Sequence, residues 1–196
     1  RVLIRGLDKD QAQTHKQVLN RKLHDISVTN AKKSLAESTR RIEEAWQCLN
    51  IDHYISAWHM QQWEEYFSDL RFLCILDDDI LAEAGSGEIT IKCRSALQQP
   101  QTWRATHNDR WVAKELVHSK EFLDSIGSNQ LTVSQKEAIL RHDNRVLAVA
   151  GAGTGKTTTV IGKVIYLLQN GTYQPEDILL LSFSTGTVEE LQQRIA

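Results

Sequence analysis

One eight-residue stretch narrows the possible folds more than any other part of the chain. Ala150-Gly151-Ala152-Gly153-Thr154-Gly155-Lys156-Thr157 follows the apolar run Val146-Leu147-Ala148-Val149-Ala150 and precedes a helix-patterned segment over 156–169. Alternating glycines let the backbone curl so that successive amide N–H groups point into one concavity, with no β-carbon in the way of an anion. A helix that starts there turns the positive end of its dipole on the same spot. The spacing fits the phosphate-binding loop, with alanine at the first glycine position. On that reading Gly151, Ala152, Gly153, Thr154 and Gly155 cradle the phosphates, and Thr158 stands in the first helical turn. Lys156 reaches the β- and γ-phosphates, and the Thr157 hydroxyl ligates Mg²⁺. An accidental Lys-Thr after a glycine-rich turn is the bland alternative, and the strand pattern before it and helix pattern after it weigh against that.

A second apolar run, Ile178 to Phe183, follows Pro175. Strand, glycine turn, helix and strand in that order predict a β-α-β unit with parallel strands and a right-handed crossover. The expected fold class is therefore α/β, a nucleotide-binding parallel sheet preceded by a mainly helical region. Seven of the ten glycines lie beyond residue 126, so the boundary is placed near Gly127-Ser128-Asn129: 1–126 mainly helical, 127–196 α/β.

Upstream, apolar residues recur at three- and four-residue spacing. Leu19, Leu23 and Ile26, then Leu35, Ile42, Trp46 and Leu49, predict one long helix or a pair over 8–49. Ile55, Trp58, Trp63, Tyr66, Phe67, Leu70 and Leu73 mark one helix face over 54–76, and a third helix is expected at about 108–126. Glu88 to Cys93 alternates Ile89 and Ile91 with polar residues, the pattern of a short strand, and Gln98-Gln99-Pro100 reads as a loop. The run Phe72 to Asp79 ends in three aspartates; it lies before the glycine turn and reads as an acidic helix end or loop.

With 41% hydrophobic and 24% charged residues, the chain has the material for packed cores, and no run approaches the roughly 20 apolar residues of a membrane span. It starts at Arg1 without methionine and ends inside a helix pattern, which reads as a piece of a longer protein. Three widely spaced cysteines, Cys48, Cys74 and Cys93, suggest neither a disulfide framework nor a zinc clamp, and a reducing cytoplasm is the expected setting. His15, His24, His53, His59, His107, His118 and His142 form no ligand pair. Net charge is −2, yet residues 1–45 hold ten Lys/Arg against six Asp/Glu, and 46–91 hold one against nine. A globally basic nucleic-acid binder is thereby excluded, while a local basic face is not.

Leu131-Thr132-Val133-Ser134-Gln135 ahead of the glycine turn, the A-G-A-G-T-G-K-T turn itself, and Leu181-Ser182-Phe183-Ser184 followed by Glu190-Leu191-Gln192-Gln193-Arg194-Ile195 together resemble the UvrD/Rep-like superfamily 1 DNA helicases. The resemblance covers roughly 107–196, with its specific motifs in 131–196. It implies that Gln135 reads adenine, which an amide suits because it carries an acceptor and a donor on one edge. It implies ATP and Mg²⁺ as cofactors, and single-stranded and duplex DNA as partners. Phe183, Ser184 and Thr185 would meet single-stranded DNA, although Gly186-Thr187-Val188 stands where many relatives have Lys-Ala-Ala. It further implies that the sheet is RecA-like, that 127–196 is the first part of a motor domain, and that the motor runs 3′-to-5′, coupling ATP hydrolysis to translocation and unwinding. Hydrolysis in this family needs an Asp-Glu pair and arginines from a second motor domain, and neither follows Thr157 here. Two other readings stay open: a small-molecule kinase, and a DNA- or partner-binding module in 1–126 using Lys16, Arg21, Lys22, Lys32, Lys33, Arg40 and Arg41.

Overall fold

The computed structural model describes residues 9–127, 129–151, 153–171 and 173–182. Its helices are α1 (Lys9–Leu49), α2 (Ala57–Tyr66), α3 (Asp78–Glu83), α4 (Glu88–Gln98), α5 (Pro100–His118), α6 (Lys120–Ser125), α7 (Val133–Leu140) and α8 (Lys156–Gln169). Short 3-10 segments span Ser68–Ile75 and Pro175–Asp177. None of these helices is long and apolar enough to cross a membrane. Two compact units result: the chain up to Ile51 joins Gln61–Trp103, and Asp52–Met60 joins the residues from Arg104 onward.

In the first unit α1 is one unbroken helix, and its packing face carries Val28, Ala31, Ile42, Ala45 and Leu49 against α3, α4 and the first 3-10 segment. The Trp63 indole N–H donates to the Ala45 carbonyl at 3.0 Å, a partner that a buried indole needs. Arg41 lies 4.3 Å over both the Tyr66 and Phe67 rings and holds Asp69 at 3.1 Å. Leu19, Leu23 and Ile26, whose spacing pointed to this helix, are half exposed.

The strand expected at Glu88–Cys93 is instead the first half of α4. Ile89 and Ile91, whose alternation suggested a strand, are exposed, whereas Thr90, Cys93, Ala96 and Leu97 are buried. Those four positions step by three, three and one, which is a helical face. Pro100, taken for loop, opens α5, where its missing N–H leaves nothing unsatisfied. The aspartate run starts a helix: Asp77 is the N-cap of α3, and Asp78 and Asp79 sit in its first turn, next to the positive end of the dipole.

The second unit is built around Tyr54, Val112, Leu123, Ile126, Leu131, Ile139, Leu140 and Tyr166. Asn108, 2% exposed, clamps the backbone of Ile55 from α5. Its Oδ1 accepts from the Ile55 N–H and its Nδ2 donates to the Ile55 carbonyl, both at 2.9 Å. The first N–H groups of α2 have partners from far along the chain. Ala57 donates to Asp143 Oδ1 at 2.7 Å and Trp58 to Asn144 Oδ1 at 2.9 Å, while His59 donates to the neighbouring Ser56 hydroxyl at 3.2 Å. Arg104 anchors the same Asp143 at 2.5 Å.

The α/β expectation fails at its sheet. Among the described residues there is no strand, so the parallel sheet and the β-α-β crossover are absent. Val146–Ala150 and Ile178–Ser182 are irregular, and Leu147, Val149, Leu179 and Leu181 are 80–89% exposed. A five-residue apolar run has no hydrogen bonds of its own; it becomes a strand only beside a partner, and neither run has one among these residues. The helix between them closes its hydrogen bonds locally and forms as expected, Lys156–Gln169.

Candidate nucleotide site

The site begins with a local rule. Thr132 is the N-cap of α7, and Gln135, three residues on, completes a capping box. Thr132 Oγ1 accepts from the Gln135 N–H at 3.3 Å, and Gln135 Oε1 accepts from the Thr132 N–H at 2.7 Å. The other end of the same amide, Nε2, donates to the Thr154 carbonyl at 2.8 Å. Gln135 thus ties the start of α7 to the glycine turn. An amide oxygen has two lone pairs and an amide nitrogen two hydrogens, so each end keeps one further position. That is the donor-acceptor pair that the edge of an adenine base requires.

The turn itself depends on glycine at two points. Gly153 has φ +72° and Gly155 φ +84°, both left-handed. At Gly155 a β-carbon would stand 2.9 Å from Gln135 Nε2, so the approach of the glutamine also requires hydrogen there. Thr154 Oγ1 donates to the Gly151 carbonyl at 2.9 Å and braces the turn across its mouth. Gly155 is the N-cap of the fourteen-residue α8 and, having no side chain, makes no side-chain cap hydrogen bond.

Beside the turn lies a cavity of about 550 Å³ lined by Gly127, Asn129, Gln130, Leu131, Thr132, Gln135, Gly153, Thr154, Gly155 and Thr158. Its size falls in the range of small-molecule sites, and no charged side chain is among these lining residues. Neutral donors, acceptors and one leucine suit a heterocyclic base. Positive charge sits outside this lining: Lys156 is exposed, with Nζ donating to the Ala150 and Gly151 carbonyls at 3.1 Å each. The residues present fit a nucleotide: Gln135 could meet its base, and Lys156 and the start of α8 could meet its phosphates. No group of three acidic, histidine or cysteine side chains gathers among the described residues. A Mg²⁺ ion arriving with a nucleotide would take the Thr157 hydroxyl.

Of the residues singled out from sequence, Gln135, Gly153, Thr154, Gly155 and Thr158 come together at this cavity, with Lys156 and Thr157 following directly in the chain. Ala152, Phe183, Ser184 and Thr185 lie outside the described residues. On α1, Lys16, Arg21 and Lys22 are exposed, while Lys33, Arg40 and Arg41 are paired with Glu37, Glu44 and Asp69. The cysteines are free, and Cys93, buried, has its thiol pushed up to about 11 by desolvation.

One contact between α7 and α8 escaped the sequence reading. Lys163, on α8, donates to the carbonyls of Ala138 at 3.3 Å and Ile139 at 3.0 Å, and also to that of Arg141. These carbonyls end α7, where a cation is favoured, yet burial pushes the ammonium down to about 8. A lysine seven residues after Lys156 carries no sequence signal for such a role. The capping box did carry one, in Thr-x-x-Gln ahead of an apolar run.

A comparison with protein families matches residues 131 to the end of the chain. Residues 131–196 match the UvrD/REP helicase N-terminal domain. The matched segment begins at Leu131, directly before the Thr132 cap, and contains the glutamine, the glycine turn and α8. Among curated proteins, DNA helicase IV of Escherichia coli is 33% identical over 104 residues, 53% of this chain and 15% of the relative. The ATP-dependent DNA helicase Rep of Buchnera aphidicola subsp. Schizaphis graminum is 39% identical over 66 residues, 34% of this chain and 10% of the relative. The ATP-dependent DNA helicase PcrA of Staphylococcus aureus is 30% identical over 67 residues, covering 34% and 9%. The chain thus spans about a sixth or less of the length of these relatives. No solved structure matches.

Proposed function

We propose that this chain supplies the nucleotide-binding start of an ATP-dependent 3′-to-5′ DNA helicase, with residues 127–196 as the first part of its motor and 1–126 as a helical accessory region. The observation that carries the reading is the Gln135 amide, held against Thr154 at 2.8 Å with one donor and one acceptor position to spare beside a neutral cavity. The names of the relatives support the same activity and cofactor. In this reading Gln135 selects adenine, the backbone amides of 151–155 and the start of α8 receive the phosphates, Lys156 reaches the β- and γ-phosphates, and Thr157 with Thr158 completes the first turn. Mg²⁺ on the nucleotide would supply charge neutralisation at the transferred phosphoryl group. Phe183, Ser184 and Thr185 would contact single-stranded DNA.

The chain's own residues bind and orient; they do not complete hydrolysis. No acidic residue follows Thr157 before Glu176, so nothing near the loop in sequence activates a water. In the whole protein, ATP binding and hydrolysis would close and reopen a cleft and move the strand in steps. The test is the ATPase rate of the longer protein with and without single-stranded DNA, with Lys156→Ala as control. DNA-stimulated turnover lost in the variant is the expected result; a rate indifferent to DNA overturns the helicase reading.

A further inference from the structure

α7 is pinned to the α8 region at both ends. At its start Gln135 reaches Thr154, one residue before the α8 cap. At its end the Lys163 ammonium spends its donors on the carbonyls of Ala138, Ile139 and Arg141, groups that would otherwise be orphans of a terminating helix. Next to Lys163, Gly162 permits a close approach: a β-carbon there would lie 2.8 Å from Ile139 Cδ1 and 2.9 Å from Ile126 Cδ1. Ile139 is fully buried, so it has little room to retreat. An eight-residue helix is about 12 Å long, so a tilt of roughly 5° at its C-terminal pin moves the opposite end by about 1 Å. A displacement of that size removes a hydrogen bond of 2.8 Å.

We infer that Lys163 is a positioning residue for base recognition: by holding the end of α7 on α8 it fixes the Gln135 edge at the cavity. The inference rests on the nucleotide reading above and deepens it. Lys163 lies two turns beyond the loop and touches no phosphate ligand, so its loss should disturb the choice of base and leave the anchorage of phosphates unchanged.

The experiment uses the whole chain with ATP, GTP and inorganic tripolyphosphate as probes, each titrated against the parent, Lys163→Met and Lys163→Arg. Methionine keeps the aliphatic stem and removes the donors; arginine keeps charge and donors. The expected result is a fall of about fivefold to tenfold in the ATP-over-GTP ratio for K163M, the scale of one net hydrogen bond. Tripolyphosphate affinity should stay within about twofold of the parent, and K163R should keep most of the preference. A parental ratio in K163M overturns the inference. Should K163M lose its far-UV circular dichroism, Gly162→Ala decides, because it pushes α7 from the same end without altering charge; an unchanged ratio there overturns the inference too. A parent that binds none of the probes, or binds ATP and GTP alike, refutes the nucleotide reading itself, a different outcome from a preference that K163M leaves intact.

Discussion

Replacing Asn108 by alanine tests how the second unit holds the segment that precedes α2. The amide is 2% exposed and makes both hydrogen bonds to Ile55 at 2.9 Å. After truncation the Ile55 N–H has lost its acceptor, and a buried orphan of this kind costs about 1–3 kcal/mol. The carbonyl fares better, because Arg104 Nη1 stands 3.4 Å away, a long but surviving contact. With the lost packing, the sum is about 2–4 kcal/mol, a large share of the roughly 5–15 kcal/mol that holds a domain together. For a chain of 196 residues that corresponds to a fall in Tm of about 4–16 °C. Asn108→Asp sharpens the test at nearly constant volume. One carboxylate oxygen still accepts from the Ile55 N–H, but the other faces the Ile55 carbonyl with no proton to offer. Burial and that carbonyl raise the acid's folded-state pKa, so its protonated form is favoured in the folded state and the variant should regain stability as pH falls. Thermal unfolding by circular dichroism at pH 7.5 and 5, with the exchange rate of the Ile55 amide, measures both effects. An alanine variant within about 0.5 kcal/mol of the parent, or an aspartate variant indifferent to pH, would refute the clamp as an energetic element.

Three further outcomes follow from the site and its supports. Gly155→Ala places a β-carbon at φ +84° and 2.9 Å from Gln135 Nε2; it should lose about 1–2 kcal/mol from the backbone alone and weaken ATP binding, and an unchanged Tm would contradict the geometry. Asp124 is held at about 2 by Lys120 and Lys136, so the stability it contributes is present above its ordinary range near 3.8 and lost as pH falls through about 2. Asp124→Asn should flatten the acid limb of a stability-pH curve, and a curve identical to the parent's would show the link between α6 and α7 to be inert. Finally, the chain alone should bind nucleotide weakly and release phosphate from ATP at background rates; robust turnover abolished by Lys156→Ala would show that residues within 1–196 suffice for hydrolysis.

Much of the helical pattern was legible because its causes are local. α8 has the expected bounds, since a glycine turn before it and an apolar three-four repeat within it are both sequence-near signals. Gln135 was singled out through the resemblance and the glycine turn through the spacing of its glycines ahead of Lys-Thr, and the two meet at the Gln135–Thr154 hydrogen bond. The apolar runs at 146–150 and 178–182 were misread because strand formation depends on a neighbour that a run cannot specify. Glu88–Cys93 was misread because two exposed isoleucines imitate alternation, while the buried Thr90, Cys93 and Leu97 carry the helical period. Expected as one helix, 108–126 is interrupted at Ser119, between α5 and α6. The caps on α2 were beyond any local reading, since Asp143 and Asn144 lie 86 positions from the N–H groups they accept.

The core shared by Tyr54, Val112, Leu123 and Ile126 with Leu131, Ile139, Leu140 and Tyr166 bears on how this protein can be cut. An expression clone begun at Leu131, where the family match begins, would inherit α7 and α8 with half of their apolar lining removed. Ile139 and Leu140, fully buried in the whole chain, would face water, and the fragment would tend to aggregate before its nucleotide affinity was measured. A piece suited to binding work therefore keeps Asp52–Met60 and α5, and because Gln61–Trp103, which lies between them in the chain, packs on α1, a cut just before Asp52 would strip the core of the first unit in turn.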